Sequence, residues 1–217
     1  MKILLYQVRD LRTAGNLGGT KLTVNGNGYS IDGNGNSGIV VNSNQTLKIN
    51  DANITNFKTT SANEGALTVK DGGKLEINAI NNDISINNII SEADEVNAIY
   101  LDGTTAKATI STSSYRTVEI GNDIRSANVS NEITLRGDGK IVFNGKIDPL
   151  TINNENKDTV HNNYIDAVTY NINSGSVTFT KDEYLSNPDG NKNSINFNGG
   201  LLNIANGAVN DISLVSL

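Results

Sequence analysis

Short runs of an apolar, a polar and a second apolar residue recur from end to end of this 217-residue chain, each closed by a turn. Leu22-Thr23-Val24 precedes Asn25-Gly26-Asn27-Gly28, and Tyr29-Ser30-Ile31 precedes Asp32-Gly33-Asn34-Gly35. Leu47-Lys48-Ile49, Leu67-Thr68-Val69, Leu75-Glu76-Ile77, Ile84-Ser85-Ile86 and Val118-Glu119-Ile120 continue the series. Ile133-Thr134-Leu135, Ile141-Val142-Phe143, Val177-Thr178-Phe179 and Ile195-Asn196-Phe197 carry it through the second half. Alternation of period two in so short a run marks a half-buried strand, and no segment sustains a 3.6-residue apolar period over three turns. The chain is therefore expected to be all-β.

Three architectures accept strands this short: a sandwich, an antiparallel barrel and a parallel solenoid. Three strands with their turns occupy about 20–25 residues, the length of one coil in a repeat protein. Only 36% of residues are hydrophobic and 5% aromatic, with no Trp, so the core must be narrow and filled by Ile, Leu and Val stacked on one another. Asn is about one residue in six, beside 21 Gly and 2 Pro. Both Asn and Gly accept positive φ in tight turns, and amides at equivalent turns can form hydrogen-bonded ladders. These features favour a right-handed parallel β-helix over residues 1–217, with residues 1–20 as an irregular N-terminal coil. It would have on the order of seven to nine coils and measure about 40 Å at the strand spacing of a sheet. Wider gaps between triplets near 88–96, 121–131, 153–165 and 180–194 are expected to be loops. A triplet pattern running into Ile212-Ser213-Leu214, and a short apolar start at Ile3-Leu4-Leu5-Tyr6, predict an uncapped fragment of a longer chain.

Several patches resemble a known family. Leu22 to Gly33, then Gln45-Thr46-Leu47-Lys48-Ile49 with Ile54-Thr55-Asn56-Phe57, resemble the opening coils of bacterial autotransporter and polymorphic outer-membrane passenger domains. Gly65-Ala66-Leu67 and Ala98-Ile99-Tyr100 look like degenerate copies of that group's Gly-Gly-Ala-Ile repeat, and Ile84-Ser85-Ile86-Asn87 of its Phe-x-x-Asn. Ile195 to Gly207 is similar to late passenger coils. The resemblance implies a cell-surface β-helix, outer-membrane-anchored through a C-terminal barrel, and often adhesive. Its partner would be a host or bacterial surface protein or glycan. The family motif is structural, so no catalytic residue and no cofactor is carried over.

A net charge of −6 offers no basic face for phosphates, which argues against a nucleic-acid partner. No apolar stretch is long enough to span a membrane as a helix. Without cysteine there is neither a disulfide framework nor a thiolate zinc site. Arg136-Gly137-Asp138 sits between two triplets, where an exposed turn would present it to a receptor, although Gly137 and Asp138-Gly139 suffice to make a turn for its own sake. Asp32, Asn34 and Asn36 space oxygen ligands like the start of a calcium loop, but positions six and twelve are Ser37 and Ser43 rather than Gly and Glu. Glu92, Asp94 and Glu95 form an acidic run that reads as a solvated loop. A carbohydrate-active β-helix, a lyase or tailspike-like fragment, is the alternative function. It needs two carboxylates about 5–10 Å apart, for which the outward Glu76 and Glu119 are candidates. His161, the single histidine, has no evident partner in Asp158-Thr159-Val160-His161-Asn162-Asn163. Gly18-Gly19 and Gly26-x-Gly28 lack the Lys-Ser/Thr of a phosphate loop. The expectation is a binding surface rather than an enzyme.

Overall fold

A computed structural model describes residues 21–92, 95–181 and 192–205, together with the backbone of 213–214. The expected N-terminal coil, most of the 180–194 gap, Asp94 and nearly all of the C-terminal strand pattern lie outside the described residues. What is described is all-β, with no helix and hence none long and apolar enough to cross a membrane. The strands form curled sheets, and among the described residues they pair in parallel.

Three ladders account for nearly all strands. The first contains β1 (Lys21–Asn25), β4 (Thr46–Asn50), β8 (Lys74–Ala79) and β12 (Lys107–Thr112). It continues through the first halves of β15 (Glu132–Phe143) and β17 (Thr151–His161), then β18 (Thr169–Ile172), β20 (Ser194–Phe197) and β22 (Ser213–Leu214). The second contains β2 (Ser30–Asp32), β5 (Asn53–Thr55), β9 (Ile84–Asn87) and β13 (Thr117–Ile120). The second halves of β15 and β17 follow, then β19 (Ser176–Phe179) and β21 (Leu201–Ile204). The third contains β3 (Ile39–Val41), β7 (Gly65–Val69), β11 (Asn97–Leu101), β14 (Asp123–Ser126) and β16 (Ile147–Asp148), extended by a bridge to Ile165. A small pair, β6 (Lys58–Thr59) with β10 (Ile90–Ser91), lies outside them.

Up to Asp166 the chain visits the ladders in the fixed order first, second, third. Successive visits to the first ladder are separated by 18 residues (Thr151 to Thr169) up to 33 (Lys74 to Lys107). Parallel pairing puts equivalent positions in register, so each inward column collects like side chains. In the first ladder Leu22, Leu47, Leu75, Ala108, Ile133, Ile152, Tyr170 and Ile195 align. In the second, Ile31, Ile54, Ile86, Ile120, Phe143, His161, Phe179 and Ile204 do so. The third stacks Ile39, Leu67, Ile99, Ile124, Ile147 and Ile165. Most of these are completely buried, each such aliphatic contributing about 1.5–3 kcal/mol on leaving water.

The expected amide ladders are present. Asn50 Nδ2 donates to Asn25 Oδ1 (2.8 Å) and Asn78 Nδ2 to Asn50 Oδ1 (3.0 Å). Asn153, Asn171 and Asn196 form a second column with both bonds at 2.7 Å, and Asn198 donates to Asn173 at 2.8 Å. Asn27, Asn34, Asn44, Asn56 and Asn88 occupy positive φ in the turns.

Two expectations are corrected. The 153–165 gap is strand as far as His161, because its inward positions hold Asn154, Asn156, Thr159 and His161, all buried. The 121–131 and 88–96 gaps likewise contain β14 and β10. Arg136-Gly137-Asp138 is no turn between strands: it lies within β15, where a register shift between Gly137 and Lys140 carries the strand from the first ladder to the second.

Candidate functional site

The residues singled out from sequence do not converge. Arg136 and Asp138 are exposed, but Arg136 Nε is 3.2 Å from Glu155 Oε2 and the tripeptide follows the strand corner instead of projecting. Asp32 Oδ1 accepts the backbone N–H of Asn34 (2.8 Å) and Asn36 Nδ2 donates to the Gly33 carbonyl (2.8 Å), which makes this segment a self-bonded turn. Glu92 pairs with Lys58, and Glu95 with Arg125. Glu76 belongs to the first ladder, beside Lys48 at 3.8 Å, whereas Glu119 belongs to the second and accepts from Asn144 Nδ2 at 2.6 Å. The two carboxylates thus belong to different ladders, each engaged with its own neighbour. Among the described residues no group of three or more His, Asp or Glu side chains could hold a metal ion.

His161 is a core residue. Its ring stacks between Phe143 (centroids 4.9 Å) and Phe179 (4.6 Å), while Nε2 lies 2.9 Å from the Tyr170 hydroxyl. Burial holds the imidazole down at a pKa of about 3 and pushes the Tyr170 phenol up, so both are neutral at ordinary pH.

A different set of residues forms a groove on the outside of the third ladder. In β11, β14, β16 and at the Ile165 bridge an inward isoleucine is followed by an outward residue: Tyr100, Arg125, Asp148 and Asp166. These four, with Asn63, Ser126, Ala127, Pro149 and Ala167, line a space of about 450 Å3. That volume falls in the range of small-molecule sites. From β11 to the Ile165 bridge it crosses three strand spacings, about 14 Å.

Its electrostatics are mixed. Lys146 Nζ is 2.7 Å from Asp148 Oδ2 and 3.6 Å from Asp166 Oδ2, and bridges the two carboxylates. Burial works against the ammonium, but the bond to Asp148 and the two negative charges outweigh it and hold the lysine above its ordinary value. Arg125 pairs with Glu95 and reaches within 4.0 Å of Asp148 Oδ1. Below them Asp123 Oδ1 accepts the Lys146 backbone N–H at 2.7 Å; burial, with a further contribution from Asp148, raises this carboxyl above the usual carboxylate range. The Tyr100 hydroxyl donates to Asn63 Oδ1 at 3.2 Å, and burial followed by the charge of Asp102 pushes the phenol up. Ala167, beside Asp166, holds φ +54, a left-handed conformation that costs a non-glycine residue about 1–2 kcal/mol.

The sequence carried one signal for this groove: isoleucine followed by an outward residue at 99–100, 124–125, 147–148 and 165–166. Only the first of these lies in an apolar-polar-apolar triplet, so triplet reading missed the others. No protein-family model, no curated protein and no solved structure matches the chain.

Proposed function

We propose that the chain is a segment of a right-handed parallel β-helix that displays a binding surface, as the passenger part of an autotransporter-like bacterial surface protein does. The regular return of the chain to three parallel ladders supports the helix. The observation that carries the binding role is the third-ladder groove, whose side chains come from successive strands and whose charges are organised without forming a nucleophile–base pair. In this reading the stacked ladders are a rigid scaffold, and the partner is a surface protein or glycan of a host or bacterial cell.

The experiment is saturable binding of the labelled, purified chain to epithelial and bacterial cells. Ala127→Trp, at an exposed position lining the groove, is expected to reduce cell binding at least tenfold. Tyr115→Ser, at a 97% exposed residue outside the groove lining, is expected to leave it unchanged. Absence of saturable binding to either cell type would overturn the adhesive role.

A further inference from the structure

We infer that the third-ladder groove takes a linear, neutral oligosaccharide laid along the stacking direction. This deepens the display reading and rests on it for the setting, though the binding chemistry stands on the groove alone.

Shape comes first. The groove is long relative to its volume: about 450 Å3 distributed over strand layers that span about 14 Å. A compact ligand would leave most of that length unfilled, whereas a chain of linked rings follows it.

The second argument is the order of the lining. Asp148 and Asp166 are acceptors, Arg125 is a donor beside them, and Lys146 donates between the two carboxylates. Asn63 and the Tyr100 hydroxyl, bonded to each other, each donate and accept, whereas the Ser126 hydroxyl is held inside by the Asn128 carbonyl and the Asn131 amide. An anionic ligand placed here meets two carboxylates, and a cationic one meets a guanidinium and an ammonium. Either would have to break ion pairs that are already made. A hydroxyl group donates to a carboxylate and accepts from a guanidinium without displacing either, and each such bond is charge-assisted.

The third argument is the opposite row. Pro149 and Ala167 follow Asp148 and Asp166 in successive layers, and Ala127 lies one position further along in the layer of Arg125, so small apolar groups flank the polar row. A pyranose has the same division, with C–H groups on its faces and hydroxyls around its edge. The pairing of apolar groups with a row of donors and acceptors is what a sugar chain presents in mirror image. A protein segment of mixed sequence has no such division.

The test is calorimetric titration of the whole chain with cellotetraose, maltotetraose, laminaritetraose and xylotetraose, beside tetragalacturonate as the anion and a chitosan tetramer as the cation. At least one neutral tetrasaccharide is expected to bind more tightly than both charged ones. Asp148→Ala is expected to weaken that binding about tenfold or more, the loss of one charge-assisted bond. Ala127→Trp is expected to abolish it by filling the groove while leaving the circular dichroism spectrum and unfolding midpoint in place. Preference for either charged tetramer, binding to none of the six, or neutral binding that survives Ala127→Trp would each overturn the inference. Cell binding measured in parallel separates the two readings. A chain that binds a neutral tetrasaccharide but no cell loses its adhesive role and keeps the site. A chain that binds cells but none of the tetramers keeps the role and loses the ligand.

Discussion

Gly137→Ala is expected to destabilise the protein by roughly 3 kcal/mol or more in urea unfolding, against less than about 0.5 kcal/mol for Asp138→Ala next to it. Gly137 has φ +114, and a Cβ there would overlap the carbonyl oxygen of Thr112 on the neighbouring strand. The corner has little room to yield, because a buried polar chain holds it from within. Gly139 N donates to Thr112 Oγ1 at 3.1 Å, Thr112 Oγ1 donates to Asn156 Oδ1 at 2.9 Å, and Asn156 Nδ2 returns to the Gly139 carbonyl at 3.2 Å. Shifting the backbone to make space for a methyl group would strand buried donors and acceptors, at about 1–3 kcal/mol each. Asp138 is exposed, and its truncation touches none of this. Similar small effects at both positions would mean that the Arg-Gly-Asp stretch is a pliant turn after all.

The second large effect depends on pH. His161 has a folded pKa of about 3, well below the 6.5 it has when exposed. The folded chain therefore keeps the imidazole neutral while the unfolded chain takes up a proton as pH falls through 6.5. The unfolded state then binds more protons, and stability drops by about 1.4 kcal/mol per pH unit between 6.5 and 3. At pH 5 this cost is about 2 kcal/mol. His161→Phe removes it and continues the column Phe143, position 161, Phe179 with a ring of similar shape. At pH 7 the variant is expected to be less stable by about 1–3 kcal/mol, since the buried Tyr170 hydroxyl loses its partner. Between pH 7 and pH 5 the variant should gain about 2 kcal/mol relative to the parent. Carboxylates titrate alike in both proteins, so the difference isolates the one histidine. A difference independent of pH would contradict the buried, neutral assignment.

How much of this was legible in the sequence follows from which residues face inward. Where the inward column is aliphatic, as at Leu47, Leu75 and Ile133 or at Ile54, Ile86 and Ile120, the triplets name both the strand and its buried face. Where the column turns polar the pattern disappears although the strand does not. Asn154, Asn156, Thr159 and His161 are buried in β17, and several of their partners lie beyond any local window: Asn154 donates to the Ser174 carbonyl, Asn156 to the Gly139 carbonyl, and His161 meets Tyr170. The Arg136-Gly137-Asp138 corner was misread for a related reason. Gly and Asp are turn formers, but here the glycines make room for a neighbouring backbone instead of reversing the chain. The groove was less visible still. Its members lie 18 to 25 residues apart, as Tyr100, Arg125, Asp148 and Asp166, and only pairing between strands brings them side by side.

That pairing is open to direct measurement. The outward middle positions of the first ladder, Thr23, Lys48, Glu76, Thr109, Thr134, Asn153, Asn171 and Asn196, are in register from strand to strand. The chain contains no cysteine, so pairs of introduced cysteines carry spin labels without background. With one label at Thr23 and the other at Thr109, Asn153 or Asn196, stacked strands are expected to give mean distances near 14, 24 and 34 Å, about 4.8 Å per strand. A distance to Asn196 no longer than that to Thr109 would mean that the sheet closes back on itself, and both the stacked ladders and the groove built across them would have to be given up.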